Sequence, residues 1–466
     1  MTEMRKMTAI RKLLGANRRE VDMTQGNIVR HLALFAFPLL VGNLFQQLYN
    51  MVDTWVVGNY VSNEAFSAVG TVGPIINMLI GFFTGLASGA GVVISQYFGA
   101  KRFDEVKKAV HTAMLMTFLL CVVFTAVGVG LTPTLLHFMK QPPEVLPEAT
   151  AYLTIYFAGI SGLLIYNMGS GILRAVGDSQ RPFYFLVVSA VINIVLDLVF
   201  VLRFGMGVAG VAYATIIAQG VSAVLVIWTL LKTTACVRME LSALRLHTEI
   251  LTKIVRVGLP AALQLAITSF SNIFVQSYVN FFGADFMSGW TALTKIDHLL
   301  LLPIQSLALA GTTFVGQNLG IGNVDRAKKG VNTACLMAIG FTIVLGAGVM
   351  GFAPHLVGFF NDKPEVVTYG SMLLRLLSPF YVLCCVNQIY AAALRGAGNS
   401  RIPMIIMLTS FVCFRQIYLF VMANFISNTV VPIALAYPAG WVVASSLILL
   451  YYKKAGLGKT RLIDAN

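Results

Sequence analysis

The chain has 466 residues, of which 57% are hydrophobic and 11% carry a charge, and its formal net charge is +14. Soluble proteins carry a charge on roughly 25% of their residues, so this composition excludes an ordinary soluble globule, a disordered chain and a small disulfide scaffold. Together with a mean hydropathy of +0.79, it predicts a polytopic membrane protein.

The first 30 residues form a basic segment ahead of the first apolar run. The run that follows is too long for the core of a signal peptide, and no small-residue cleavage pattern accompanies it. We therefore expect a basic cytosolic tail over residues 1–30, which could lie on anionic lipid headgroups.

Twelve apolar runs follow in chain order, and each is long enough to cross the hydrocarbon core of a bilayer as a helix. Helices are expected because an open sheet would leave unpaired backbone groups at its edges in lipid. The runs cover residues 31–57, 67–97, 109–131, 150–173, 182–202, 208–231, 255–282, 290–318, 331–353, 367–393, 403–423 and 433–452.

The basic residues alternate between the two sides of the predicted membrane. The N-terminal tail, the even-numbered connections and the C-terminal tail, counted with Arg256 at the start of the seventh run, hold 27 of the 33 lysines and arginines, whereas the odd-numbered connections hold 3. Since short cytoplasmic loops carry an excess of basic residues, we expect a multi-pass protein of the cytoplasmic (inner) membrane with both termini in the cytosol. The positive charge therefore indicates topology, and no nucleic-acid partner is expected.

The sequence repeats itself at an offset of 221 residues. Residues 94–113 match residues 315–334 at 8 of 20 positions, and the same register continues to the start of the fifth and eleventh runs. Pro38 and Pro260, near the starts of the two halves, differ by 222. Each half holds six runs, an even number, so the two halves have the same orientation and form a parallel repeat, as in some secondary transporters.

The expected fold class is an all-α polytopic membrane protein, with twelve transmembrane helices in two parallel six-helix repeats, or lobes, around a central cleft where a substrate would bind. The expected divisions are a cytosolic basic tail (1–30), an N-terminal lobe (31–231), a cytosolic linker (232–254), a C-terminal lobe (255–452) and a cytosolic tail (453–466).

Two aspartates of the first half lie deep inside apolar runs and have no acidic counterpart in the second half. The repeat aligns Asp53 with Val275 or Phe274. It aligns Asp197 with Tyr418. A carboxylate within the membrane costs about 2.5 to 3.5 kcal/mol on insertion scales, so such a residue is a candidate functional group. The alternative is that asparagine and threonine neighbours satisfy each carboxylate within the packing.

Other polar residues share helix faces with these aspartates, at a spacing of three or four residues. They are Gln46, Tyr49 and Asn50 on the first run and Asn193 on the fifth, while Thr215 and Gln219 repeat the pattern on the sixth.

Four charged residues inside the runs of the second half each allow two interpretations. Arg375 and Arg415 could face the cleft or extend toward the membrane surface. Lys295 and Asp297 could form a local ion pair. The six cysteines and six histidines show no metal-ligand spacing, and no nucleophile motif or phosphate loop occurs, so neither an enzyme nor a cofactor is expected.

Four segments carry a resemblance to a known family. They are Tyr49-Asn50-Met51-Val52-Asp53-Thr54, the Gly-Gln-Asn-Leu-Gly of 316–320 with its counterpart at 96–99, residues 173–178 ahead of Pro182, and residues 193–197. Together they resemble the multidrug and toxic compound extrusion (MATE) transporters over about residues 28–455. The resemblance implies antiport, in which amphipathic organic cations leave the cell in exchange for H+ or Na+.

The resemblance also implies roles for individual residues. Cation coupling is implied for Asp53, Asp197, Asn193 and Thr215, with Tyr152 and Asn167 as polar residues near them, and Na+ at Asp53 and Asp197 is the only metal implied. A bend of the first helix is implied at Pro38. Apart from the resemblance, we expect the substrate cleft to be lined by Gln46, Tyr49, Asn50, Gln264, Thr268 and Arg415. Because residues 263–268 are uncharged, the chain resembles the DinF-type branch, which couples through its N-terminal lobe. A monomer in the lipid bilayer is expected.

Two other classes remain open. A flippase for a lipid-linked saccharide, from the same superfamily, would be expected to have additional spans and a cationic cleft, to which Arg375 and Arg415 could belong. A channel would need a continuous polar path, which the paired lobes do not favour. The choice between H+ and Na+ is also open, because carboxylate, amide and hydroxyl oxygens could bind either.

Overall fold

The computed structural model describes residues 20–139, 143–458 and 462–463. Much of the predicted N-terminal tail (1–19) and parts of the predicted C-terminal tail (459–461 and 464–466) lie outside the described residues.

Within the described residues, twelve helical spans are long and apolar enough to cross a membrane, when one bent pair is counted as a single span. They are α1 (Ile28–Tyr60), α2 (Glu64–Gly99), α3 (Phe103–His137), α4 (Leu146–Ala158 with Ile160–Ala175), α5 (Gln180–Arg203), α6 (Gly207–Lys232), α7 (Thr248–Asn280), α8 (Ala284–Gly320), α9 (Val324–Gly358), α10 (Pro364–Gly396), α11 (Arg401–Ile426) and α12 (Val430–Ala455). Each overlaps one predicted run, so the prediction of twelve transmembrane helices is confirmed.

The fourth span is bent by 45° where its two segments meet. Gly159 lies at this break, and a Cβ atom there would overlap the side chain of Ile216 of α6. The absence of a Cβ atom at Gly159 therefore permits the close approach of α6 at the bend.

The repeat is visible in the turns that precede α5 and α11. Gly177 and Gly398 adopt positive φ angles of 86° and 94°, which glycine tolerates because it has no Cβ atom. The residue after each glycine, Asp178 or Asn399, accepts a hydrogen bond from a backbone N–H at the start of the helix, at 3.1 Å and 3.3 Å respectively. Equivalent turns therefore begin equivalent helices in the two halves.

The described residues form two compact units, whose bounds differ from the predicted lobes. The first unit contains residues 20–22 and 41–258, and the second contains residues 23–40 and the chain from Leu259 onward. Two helices thus belong partly to each unit, and each changes unit beside an internal proline, Pro38 in α1 and Pro260 in α7. Proline removes one backbone hydrogen bond and commonly bends a helix. The predicted lobes are divided only at the linker, so they do not include this exchange of helix ends, in which the start of α1 belongs to the second unit and the start of α7 to the first.

The exchanged start of the chain is part of the hydrophobic core of the second unit. Met23, Leu32 and Phe35 are at most 2% exposed, and they belong to the same buried cluster as Ile304 and Phe314 of α8. Burial of a large apolar side chain stabilises a fold by about 1.5 to 3 kcal/mol in water. The core of the second unit is therefore completed by residues from the first thirty-five positions of the chain.

Within the first unit, α2 and the start of α7 meet backbone to backbone. A Cβ atom at Gly89 would overlap backbone atoms of Gly258 and Ile254. A Cβ atom at Gly258 would lie 2.9 Å from the carbonyl oxygen of Leu86. By contrast, the Cβ position of Gly70, also on α2, has no heavy atom of the described residues within 4 Å apart from its own helix backbone and chain neighbours. Close helix contact at small residues is typical of membrane proteins.

Candidate functional site

Four of the predicted coupling residues lie together inside the first unit. Asp53 of α1 has Asp197 and Asn193 of α5 and Thr215 of α6 as polar neighbours. All four side chains are buried, with exposed fractions of 7% or less. Asn193 and Asp197 are one helical turn apart and therefore project from the same face of α5. The structure thus brings together residues from three helices, and we call these four residues the aspartate cluster.

Hydrogen bonding leaves the aspartate cluster with unused acceptor oxygens. Thr215 donates its hydroxyl hydrogen to the carbonyl oxygen of Val211 at 3.0 Å, so only oxygen lone pairs remain available. One carboxylate oxygen of Asp53 and both of Asp197 are buried and have no hydrogen-bond partner of normal geometry among the described residues. The same holds for both amide atoms of Asn193. Buried polar atoms are rarely left unpaired, so this group of oxygens is suited to receive a proton or a metal cation.

The electrostatics of the aspartate cluster favour uptake of positive charge. Across residues 20–139, 143–458 and 462–463, neither Asp53 nor Asp197 forms an ion pair with a basic side chain. Two neighbouring carboxylates repel each other when both are charged, and burial removes the water that would screen them. Binding of one cation therefore relieves the repulsion and lowers the cost of burial.

Three tyrosines surround the aspartate cluster. Tyr152 lies near both carboxylates, as the resemblance implies, and Tyr49 lies near Asp53 and Tyr156. Tyr156 is 2% exposed and lies beside Gln219 of α6. Sequence reasoning misses Tyr156, although it follows Tyr152 by four residues and this spacing places both on one face of α4.

Asn167 takes part in a different set of hydrogen bonds. Its side-chain oxygen accepts a hydrogen bond from the hydroxyl of Thr84 at 3.3 Å. Its side-chain nitrogen donates to the carbonyl oxygen of Leu163 at 2.9 Å. Both the oxygen and the nitrogen of the Asn167 side chain therefore form hydrogen bonds with groups outside the aspartate cluster.

The predicted cleft residues of the first half lie on the same stretch of α1 as Asp53. Gln46 and Tyr49 are half-buried, and Asn50 is exposed. Pro38 is half-buried within α1, three residues before the part of the helix that belongs to the first unit. The positions of these four residues do not test their predicted roles, which stay predictions.

The predicted cleft residues of the second half lie in the second unit. Gln264 is 5% exposed and accepts a hydrogen bond from Arg395 at 3.5 Å. Thr268 donates its hydroxyl hydrogen to the backbone carbonyl of Gln264. Arg415 is 3% exposed, so it does not extend to the membrane surface.

Within the described residues, twelve membrane-spanning helices in two repeated halves, with a pair of buried aspartates in the first unit, are typical of a multi-pass membrane transporter. The MatE family model matches residues 38–199 and 260–437, one match in each half of the repeat. The chain therefore belongs to the MatE family of multidrug and toxic compound extrusion transporters.

Individual relatives agree with this assignment. A probable multidrug resistance protein of Bacillus subtilis, YpnP, is 29% identical over 439 residues, which cover 93% of this chain and 96% of the relative. An outward-facing multidrug resistance transporter of the MATE family has a TM-score of 0.89 and 25% identity, and the match covers 96% of this chain and all of that one. A transporter of the same superfamily from Pyrococcus furiosus, with a binding pocket described as reversed in polarity, has a TM-score of 0.88 and 25% identity, with the same coverage.

Proposed function

We propose that this protein is a secondary active multidrug antiporter, which exports amphipathic organic cations in exchange for H+ or Na+. The observation that carries the proposal is the buried pair of carboxylates at Asp53 and Asp197, of which one oxygen of Asp53 and both oxygens of Asp197 lack hydrogen-bond partners of normal geometry within the described residues. Relatives named for multidrug resistance support the substrate class.

Coupling requires that the ion bind two states of the transporter with different affinity. In this proposal the ion binds at Asp53 and Asp197, with Asn193, Thr215 and Tyr152 beside them. Ion binding neutralises the buried charge of the two carboxylates and favours rearrangement of α1. Pro38 allows α1 to bend, because proline has no N–H and the carbonyl oxygen one turn earlier in the helix therefore lacks its usual hydrogen bond.

The proposal includes the branch and the cellular setting. Coupling through the first unit corresponds to the DinF-type branch, since residues 263–268 of α7 carry no charge. The protein would act as a monomer in the cytoplasmic (inner) membrane with both termini in the cytosol. It would need no cofactor, catalyse no reaction and bind no nucleic acid. Flippase activity gains no support from the relatives reported above.

Transport by purified protein in proteoliposomes tests the proposal. A pH gradient and a Na+ gradient are imposed in separate experiments, and movement of a fluorescent organic cation such as ethidium is recorded. One gradient should drive dye movement well above that of protein-free liposomes. An anionic dye is included because a similar transporter has a pocket of reversed polarity. Transport of the anionic dye alone would overturn the proposed substrate class, and failure of both gradients to drive any dye would overturn antiport.

The hydroxyl of Thr215 should contribute to ion binding. Thr215→Val keeps the shape of the side chain but removes the oxygen, so the ion concentration for half-maximal transport should rise about tenfold, as expected for the loss of one interaction of roughly 1.4 kcal/mol. Thr215→Ser keeps the oxygen and should retain the ion dependence of the wild type. An unchanged ion dependence in Thr215→Val would show that this hydroxyl does not bind the ion.

A further inference from the structure

The second unit has a buried charge of the opposite sign at the place that corresponds to the aspartate cluster. The repeat aligns α7 with α1 and α11 with α5. Asn272 of α7 corresponds to Asn50 at an offset of 222 residues. Arg415 of α11 corresponds to Ile194, the residue after Asn193, at an offset of 221. The equivalent helices therefore differ in charge: α1 and α5 carry Asp53 and Asp197, whereas α11 carries Arg415.

Arg415 is held by amide and hydroxyl groups of α7. One terminal guanidinium nitrogen donates to the side-chain oxygens of Asn272 at 2.8 Å and Ser271 at 3.2 Å. Ser271 donates in turn to the carbonyl oxygen of Phe411 at 3.1 Å, and Gln416 donates its amide hydrogen to Ser271 at 3.0 Å. Phe411 lies in the π-helical turn that directly precedes Arg415, and such turns are frequent at functional sites. The guanidinium is thus fixed in place by a built set of partners.

The positive charge of Arg415 has no counter-charge in contact with it. In the part of the chain that the structure describes, Arg415 forms no ion pair, and its Nε atom is buried without a hydrogen-bond partner. The guanidinium lies 4.9 Å from the ring centre of Tyr437, which offers a cation–π contact but no full negative charge. A buried charge without a partner is costly, so a partner from outside the chain would stabilise this arrangement.

Asp297 of α8 also lies near Tyr437, but it has another partner. The hydroxyl of Tyr381 donates a hydrogen bond to its carboxylate. Asp297 does not pair with Lys295 either, since Lys295 is exposed and no such ion pair occurs among the described residues. The local ion pair considered from the sequence is therefore absent there, and Asp297 does not neutralise Arg415 by direct contact.

We propose that Arg415 is the centre of a binding site for a small monovalent anion in the second unit. The anion would accept a hydrogen bond from the free Nε–H and neutralise the guanidinium. Chloride and the carboxylate group of an organic molecule share this chemistry, because each offers one negative charge and acceptor lone pairs, and guanidinium binds such groups through charge-assisted hydrogen bonds. The two halves of the repeat would then bind ions of opposite sign at equivalent places.

Binding of radioactive chloride to the full-length protein in detergent tests this proposal without an ion gradient. The wild type should show saturable binding in a scintillation proximity assay. Arg415→Gln should weaken the affinity at least about tenfold, since both the charge and the charge-assisted hydrogen bond are removed. Arg415→Lys keeps the charge and should retain part of the affinity. Absence of saturable binding to the wild type, or wild-type affinity in Arg415→Gln, would overturn the proposal.

Arg375→Gln is the matched control within the same unit. Arg375 is exposed and donates from its Nε atom to the carbonyl oxygen of Met350 at 3.3 Å, so its removal should leave chloride binding unchanged. Gel filtration in chloride-free gluconate buffer checks that each variant is folded. If Arg415→Gln does not fold, iodide quenching of tryptophan fluorescence in the wild type decides instead. The rings of Trp290 and Trp441 lie 5.7 Å and 6.2 Å from that of Tyr437, so quenching should saturate and be reversed by chloride. Purely collisional quenching would contradict the proposal.

One further comparison distinguishes the possible sources of the anion, and another distinguishes the anion-site proposal from the antiport proposal. Displacement of chloride by acetate or benzoate would identify the site as one that accepts organic carboxylates, whereas displacement by halides alone would identify it as a site for inorganic anions. Asp53→Asn should bind chloride with wild-type affinity, because Asp53 belongs to the other unit. A result that contradicts antiport therefore does not contradict the proposed anion site, and an absence of chloride binding does not contradict antiport.

Discussion

Asp53→Asn should abolish dye movement driven by an ion gradient while the protein still reaches the membrane in normal amounts. The substitution keeps the size of the side chain but removes the negative charge that the coupling ion neutralises. The ion would then bind both states of the transporter equally, and a ligand without differential affinity shifts no equilibrium. The rate in proteoliposomes should fall to that of protein-free liposomes.

Asp285→Asn is the matched control for this substitution. Asp285 is a surface carboxylate, paired with Lys363 at 2.6 Å, and its side chain is 39% exposed. Pairs of this kind contribute about 0 to 1 kcal/mol, so transport should be unchanged. The double variant Asp53→Asn with Asp197→Asn should be no worse than Asp53→Asn alone, because residues that act as one unit do not have additive effects. Gradient-driven transport at the wild-type rate in Asp53→Asn would refute the assigned role.

Gly89→Ala should strongly destabilise the first unit. The added Cβ atom overlaps backbone atoms of Gly258 and Ile254, and backbone cannot move aside as the end of a flexible side chain can. Overpacking of this kind typically costs about 1 to 3 kcal/mol. The expected result is a lower midpoint of thermal unfolding in detergent, together with a smaller monodisperse fraction on gel filtration.

Gly70→Ala, on the same helix, should leave the midpoint of thermal unfolding unchanged or raise it. Its Cβ position is free of contacts within 4 Å in the described structure, and alanine favours a helix over glycine by about 0.8 to 1.0 kcal/mol. The two substitutions make the same chemical change, so their difference isolates the contact between α2 and α7. Equal unfolding midpoints for Gly89→Ala and Gly70→Ala would mean that the two helices can separate at little cost.

The number and order of the helices could be predicted because hydrophobicity along the chain directly reflects the thickness of a bilayer. The ends were less accurate, since a helix continues past the apolar run into polar surroundings. The eighth run, at 290–318, lies inside a helix that extends over Ala284–Gly320. The bend of α4 was not predicted, because the effect of Gly159 depends on Ile216 of another helix.

The grouping of Asp53 with Asp197 could be predicted because the repeat served as an internal control. A carboxylate that only one half of the chain carries is not needed for the shared architecture. Tyr156 and the hydrogen bonds of Asn167 with Thr84 could not be assigned, since both depend on the rotation of α4 relative to its neighbours. The unpaired Nε atom of Arg415 could not be predicted without side-chain positions. An arginine within an apolar run is equally compatible with a buried position and with a position at the membrane surface.

The exchange of helix ends between the two units has a consequence for how the chain can assemble. Met23, Leu32 and Phe35 are synthesised first, yet they complete a core most of whose members come from the second half of the sequence. A half-length product ending at the linker would therefore leave these apolar side chains without their partners, and the later half alone would have a gap in its core.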